Sequence, residues 1–275
     1  MTSHGRIDRR ALLLAPALAL IVVVFCLPVG FLLLRSLTEP VVGLQNYRAL
    51  AIQPVYARAL WNTVEISLSV TALCLMAGYP LAFSIARAGP RLRRLLVFAV
   101  LVPFWSSILV RTFAWLVLLQ RRGLVNQALQ GLGLTDAPLT LVHNRVGVLI
   151  GMAHILLPFM VLPLYSVMTR IDTSLMGAAA TLGASPARGF WRVYLPLSRP
   201  GVINGTVLVF ILGLGYFITP ALLGGPQDTM IAQLIQSQVA DFGAWGMAGA
   251  LAVVLLAAVG VSFAVIQRTV APVPR

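Results

Sequence analysis

Residues 176–202 read MGAAATLGASPARGFWRVYLPLSRPGV and lie between two long apolar runs. Flanks that can each cross a bilayer make this stretch a loop at a membrane surface, yet its grammar is helix, turn, helix. Asp172, Thr173 and Ser174 supply capping oxygens ahead of an Ala-rich run of good helix formers. Gly183 can take the left-handed conformation that closes a helix. Ser185 can cap the next one, with Pro186 at its first position. Arg188 and Arg192, one turn apart, fall on one face of that second helix. Pro196 is expected to stop it, and Pro200-Gly201 to open the next span. A loop with this much structure is built to hold a shape, which at a membrane surface points to docking a soluble partner. The alternative is a plain amphipathic connector.

The rest of the chain sets the context. Of its 275 residues 59% are hydrophobic and 10% charged, and the mean hydropathy is +0.94. Several apolar runs of about 20 residues or more indicate a polytopic membrane protein. Backbone groups in lipid must bond within their own segment, so the spans are helices. The formal charge of +13 does not point to nucleic acid. All 20 basic residues are Arg, and most fall in alternate loops, where the positive-inside rule and anionic headgroups account for them. Without Lys the chain has no P-loop, so any ATP that drives it is bound by another chain. No HExxH, CxxC or GxSxG motif is present, and neither a catalytic nor a metal site is expected. Cys26 and Cys74 read as small apolar residues of the spans. His154 reads as a helix-packing hydrogen bonder and His143 as a loop residue.

In order, residues 1–10 form a basic tail with Arg6, Arg9 and Arg10, and residues 11–267 form the membrane domain. Six spans are expected, at about 11–34, 59–87, 95–119, 146–169, 200–220 and 243–267. Residues 35–58 make an outer loop with room for a short interfacial helix. Residues 120–145 and 221–242 make two more outer loops, and residues 170–199 the structured inner one. Pro80 should kink the second span. Gly147 and Gly151 are spaced for close helix contact, and Gly201, Gly205, Gly213 and Gly215 punctuate the fifth span. Residues 268–275 form a second inner tail. The Arg clusters at 6–10, 87–94, 170–199 and 268–275 put thirteen of the twenty on one side, so both termini are expected in the cytoplasm.

Glu65 and Arg111 are the ionisable residues most clearly inside spans. Each costs roughly 2.5–3.5 kcal/mol when alone at the centre of a bilayer helix. They are expected to pair with each other, or one of them to line a solute route.

The quoted loop resembles the EAA loop of ABC importer permeases. The resemblance is carried by Gly177-Ala178-Ala179, by Gly183 with Ala184-Ser185-Pro186 after it, and by Val193-Tyr194-Leu195-Pro196 at the family spacing. It implies a coupling helix pair that sits in a cleft of a cytoplasmic ATPase, with Arg188 and Arg192 on the second helix. Gly177 stands where the family usually has Glu, so docking here proceeds without that carboxylate. The likeness extends from Asn46-Tyr47 to the last span. Gly78-Tyr79-Pro80-Leu81-Ala82, Pro103-Phe104-Trp105, Leu109-Val110-Arg111-Thr112, Gly123-Leu124-Val125-Asn126 and Thr219-Pro220-Ala221-Leu222-Leu223-Gly224-Gly225 look like the spermidine/putrescine permeases.

The resemblance implies the type I ABC importer permease fold, all-α with six transmembrane helices, in a bacterial inner membrane. It implies two ATPase subunits that carry the ATP and Mg, a second homologous permease chain and a periplasmic binding protein, with no cofactor on this chain. Many relatives have an acidic residue at the position of Tyr216, and Asp before the Trp that matches Trp245, where this chain has Ala244. With Glu65 and Arg111, Tyr216 and Trp245 are candidate pathway residues. A polyamine needs carboxylates or aromatic faces. This chain offers few acids, so either the solute is a less cationic amine, such as an opine or an amino-acid derivative, or the second permease chain supplies the acid groups. An ion-gradient carrier is the rival mechanism, and a membrane-embedded enzyme a third.

Overall fold

The computed structural model describes residues 16–269. The basic tail, residues 11–15 of the first expected span and the chain from 270 onward lie outside the described residues. Among these residues twelve helices of six residues or more follow in order: α1 (Pro16–Thr38), α2 (Gln45–Ile52), α3 (Pro54–Arg87), α4 (Pro90–Trp105), α5 (Ile108–Leu119), α6 (Leu124–Gly131), α7 (Arg145–Met168), α8 (Ser174–Thr181), α9 (Pro186–Leu214), α10 (Ile218–Leu223), α11 (Ile231–Ala240) and α12 (Trp245–Thr269). No strand occurs among the described residues. Among the described residues five helices are long and apolar enough to cross a membrane, namely α1, α3, α7, α9 and the Trp245–Ala264 part of α12. The bent pair Pro90–Trp105 and Ile108–Gly131 makes a sixth when counted as one span.

Three expectations need correction. The third span is not one helix over 95–119: its two halves meet at 100°. Pro103 brings no N–H to the ladder, Val102–Trp105 tightens into a 3-10 turn, and Ser106 and Ser107 are extended at ψ 144° and 139°. Secondly, Pro196 does not stop the second loop helix. α9 runs unbroken from Pro186 to Leu214 through a π turn at Phe190–Tyr194, where the Leu195 N–H reaches back to the Phe190 carbonyl. The wider turn takes up the crowding that a proline imposes one turn upstream. Thirdly, α9 ends at Leu214 rather than at 220, and the expected outer loop 221–242 contains α11. α3 continues through Pro80, and α12 through 268, the expected start of the inner tail.

The chain divides into two compact units. One comprises residues up to Pro54 together with Leu234–Leu256. There the Asn46 amide donates to the carbonyls of Ser36 (2.9 Å) and Glu39 (2.7 Å), and the Ser36 and Tyr47 hydroxyls meet at 2.8 Å. A Cβ on Gly246 would overlap the Glu39 carbonyl, and one on Gly249 the Leu32 carbonyl, so these glycines let α12 touch backbone. α1 exposes Leu20, Val24 and Phe25, as a lipid-facing helix can, because lipid is as apolar as the side chains.

The other unit comprises Val55–Gln233 with the end of the chain. Its core is apolar around Ile66, Val70, Met152, Leu156, Met160 and Leu164. Buried Thr63 and Thr71 bond the carbonyls one turn back, at 2.7 Å each. α7 and α9 pack through Gly201 and Gly205, where added Cβ atoms would stand 3.1 Å from Leu164 Cα and 2.7 Å from Met160 Sδ. Gly151 likewise admits α10, since its Cβ would lie 2.7 Å from both Leu223 Cδ1 and Thr219 Cγ2. Gly201→Leu is therefore expected to cost about 1–3 kcal/mol by overpacking, read as a lower thermal unfolding midpoint in detergent. Gly30→Leu, at a position with no neighbour within 4 Å, is expected to be neutral or slightly stabilising.

Candidate functional site

The helix, turn and helix expected around Gly183 form as read, with one change at the start. Thr173 occupies the cap position of α8 but makes no side-chain cap bond. Asp172 Oδ1 instead accepts from the Ser174 N–H at 2.9 Å, which holds this exposed carboxyl below the usual carboxylate range. At the far end Gly183 adopts φ +81°, Ala184 N–H donates to the Ala179 carbonyl at 3.0 Å and Gly183 N–H to Ala180 at 2.9 Å. This pair of bonds is the Schellman closure, and a left-handed residue is what it requires. Ser185 Oγ then accepts from Arg188 N–H at 3.4 Å, with Pro186 at the first helical position.

The two helices touch at a position that the sequence reading passed over. Gly189 is buried, and a Cβ there would stand 3.1 Å from Met176 Cε. The second helix is anchored by aromatic rings. Phe190 meets Tyr79 at 6.1 Å and Phe83 at 5.8 Å between centroids, and Phe83 meets Tyr194 at 5.0 Å, all edge to face. Arg87 lies over the Phe83 ring at 4.2 Å, and Tyr79 hydroxyl bonds Ser198 at 2.9 Å. Edge-to-face pairs contribute about 0.5–1.5 kcal/mol each beyond burial, so the π turn is tied firmly to the end of α3. The opposite side is bare: Leu182 is 88% and Trp191 65% exposed, and Gly177, Ala178, Pro186, Arg188, Arg192 and Pro196 are exposed too. A Cβ on Gly177 would meet nothing within 4 Å. Ala179, Ala184 and Leu195 are half-buried.

The candidate pathway residues do not come together as one site. Glu65 does not pair with Arg111. Arg145, the first residue of α7, takes it: Nη1 reaches Glu65 Oε1 at 2.5 Å, Nε reaches Asp228 Oδ1 at 3.1 Å and Nη2 reaches Asn62 Oδ1 at 3.0 Å. Asn62 Nδ2 donates on to the carbonyls of Gln227 (2.6 Å) and Thr229 (3.2 Å). One guanidinium thereby joins α3, α7 and the 225–229 loop. The sequence reading placed Arg145 in a loop, where it carried no signal of this role.

Arg111 and Tyr216 do share surroundings. Both line a cavity of about 220 Å³ with Phe104, Ile108, Phe159 and Leu212. Next to it on α5, Trp115 Nε1 donates to His154 Nδ1 at 3.0 Å, the packing bond expected of that histidine. Trp245 lies in the other unit, where the Arg35 guanidinium sits 5.4 Å from its ring centroid. Both cysteines are free thiols, and no group of metal-ligating side chains occurs among the described residues.

Residues 78–273 match the family of binding-protein-dependent transport system inner membrane components. The chain belongs to this family. Among its relatives, the spermidine/putrescine transport system permease protein PotB of Haemophilus influenzae is 37% identical over 212 residues, 77% of this chain and 74% of that one. PotB of Escherichia coli is 35% identical over 233 residues, 85% and 84% of the two chains. In structure the chain resembles a bacterial ABC transporter for import of the acidic polysaccharide alginate, with TM-score 0.76 at 22% identity over 96% of this chain and 98% of that one. It also resembles a chain of the MetNI methionine ABC transporter, with TM-score 0.60 at 19% identity over 80% and 96%.

This inner membrane component is thus an all-helical permease subunit with the ABC importer permease fold. ATP hydrolysis belongs to separate ATPase subunits, and the permease is not itself an enzyme. The rival reading as an ion-gradient carrier finds no support among these relatives. The matched residues include the whole of α8 and α9, the helices that carry the exposed face around Leu182 and Trp191.

Proposed function

We propose that this permease imports a small amine solute, of the polyamine class or an amino-acid-like derivative of one, from periplasm to cytoplasm. A periplasmic binding protein delivers the solute. Two ATPase subunits, carrying ATP and Mg, close beneath this chain and a second, homologous permease. Residues 170–199 face the cytoplasm and dock in the ATPase cleft, with Gly177, Ala178, Ala179 and Gly183 to Pro186 on the first contact and Arg188, Arg192, Leu195 and Pro196 on the second. Both termini lie on that same side.

The observation that carries this reading is the α8–α9 unit: shape-locked by its Schellman closure and Ser185 cap, anchored to α3 by rings, and exposing Leu182, Trp191, Arg188 and Arg192. A rigid unit with one anchored and one bare face can pass a push from a soluble subunit to the bundle, biasing it between two states. The amine class is supported by the relatives at 35–37% identity, which are spermidine/putrescine permeases. Reconstitution tests the mechanism. Proteoliposomes holding this chain, its partner permease and the ATPase should take up solute only with ATP and the binding protein. Uptake by this chain alone, driven by an ion gradient, would sink the reading.

A further inference from the structure

Tyr79, Phe83 and Arg87 stand four residues apart at the inner end of α3, so they share one face of that helix. The face meets the π turn of α9 at Phe190–Tyr194. A π turn holds more residues per turn than an α-helix, which brings residues four apart nearly into line. Phe190 and Tyr194 accordingly stack on each other, at 6.0 Å and 17°. Both rings receive α3. Tyr79 and Phe83 stand edge-on to Phe190, Phe83 stands edge-on to Tyr194 as well, and the Arg87 guanidinium lies 5.4 Å from the Tyr194 centroid. Tyr194 is buried at 4% exposure, so the joint is filled rather than lightly touching. Gly189, the residue before the turn, closes on Met176 of α8.

The α8–α9 unit is joined to three spans in different ways. α7 leads into it and α9 continues from it, so both follow the loop through the chain itself. α3 is remote in sequence and is held to the unit by side chains, namely these rings and the Tyr79–Ser198 bond. Packed interiors have low compressibility and transmit strain. α3 is also one helix from Pro54 to Arg87, unbroken at Pro80. Its outer part carries Asn62 and Glu65, which hold Arg145 and, through Asn62, the 227–229 carbonyls. Both parts of α3 belong to the same compact unit.

We infer that Phe190 is a positioning residue for coupling: its ring, seated against Tyr79 and Phe83, makes α3 move as one body with the α8–α9 unit. A push on the loop then reaches Asn62 and Glu65 along α3. The inference rests on the docking of residues 170–199 proposed above, and adds which further span takes up the motion and through which side chain.

The test uses the assembled importer with Cys26 and Cys74 replaced by Ala. Spin-label pairs report distances without nucleotide and with ATP and vanadate. The labelled sites, Leu182→Cys, Met76→Cys and Val42→Cys, are all well exposed. Met76 lies on α3 beyond Pro80 from the joint. The Leu182 to Met76 distance is expected to stay within about 2 Å between the two states, while the Leu182 to Val42 distance changes by more than that. Phe190→Leu keeps an apolar side chain and loses the ring. It is expected to let the Leu182 to Met76 distance shift by more than about 2 Å, or broaden, in the trapped state. Phe83→Leu removes the same contact from the α3 side and should do likewise, whereas Phe190→Tyr keeps the ring and should restore the fixed distance. A wild type in which both distances change alike overturns the inference, because the loop then slides over α3. So do leucine variants with a lowered melting temperature and a fixed Leu182 to Met76 distance, the result expected of rings that only pack. A Leu182 to Val42 distance that ignores ATP would instead remove the docking reading beneath it.

Discussion

Gly183→Pro is expected to reduce ATP-driven uptake to background while the protein still inserts in the membrane. Gly183 holds φ +81°, and its N–H closes α8 on the Ala180 carbonyl. Proline fixes φ near −65° and has no N–H, so the left-handed closure cannot form and the bond from Ala184 to Ala179 goes with it. The first helix then loses its direction relative to the second, although neither α7 nor α9 depends on the turn for its own hydrogen bonds. Gly131→Ala is the control: it puts a methyl into open space on α6, outside the loop, and is expected to leave uptake unchanged. Membrane fractionation and uptake in cells separate the two effects. A Gly183→Pro protein with normal uptake would show that the turn is a connector and nothing more.

Arg145→Ala is the second large effect. It removes the one cation that Glu65 and Asp228 share, and leaves the Asn62 amide oxygen without its donor. Losing one partner of a fully buried pair costs about 3–5 kcal/mol. Here the Arg145 and Glu65 side chains are 35% and 39% exposed while Asp228 is 11% exposed. Solvent screening therefore discounts the figure to about 1–3 kcal/mol. The expected readout is a lower unfolding temperature in detergent, with the 225–229 loop becoming open to proteolysis. Arg35→Ala breaks an exposed pair with Glu39 one helical turn away and is expected to cost less than about 1 kcal/mol. Equal losses from the two substitutions would contradict the assignment of Arg145 as the clamp.

Sequence reading reached what depends on composition and local chemistry. Apolar run length placed the spans, and the cap and turn residues from Asp172 to Pro186 placed the loop helices, because those preferences act within a few residues. It failed where the outcome depends on distant partners. Arg145 is 80 residues from Glu65 and 83 from Asp228, so no local pattern joins them. Arg111 was matched to Glu65 because both are charges in spans, but that pairing ignored which cation had the better reach. Pro196 looked like a stop because a proline breaks a regular α-helix, and a preceding π turn removes that conflict. Pro103 was visible as a weak point in the third span, whereas the extended Ser106 and Ser107 that turn it by 100° have no strong sequence signature. The aromatic anchor around Phe190 was missed for the same reason as the clamp: Phe83 and Tyr79 come from α3, more than 100 residues upstream.

The central claim is that the bare face of the α8–α9 unit meets the ATPase in the cytoplasm. Cysteine crosslinking measures this directly, with Cys26 and Cys74 first replaced by Ser or Ala. A cysteine at Leu182, the most exposed large side chain of the unit, should crosslink to the ATPase subunit in inside-out vesicles, and ATP should change the yield. A cysteine at Val42, 80% exposed on the segment expected outside, should not. Labelling of the Leu182→Cys protein only from the periplasmic side, or full transport with no crosslink to any ATPase, would contradict the account.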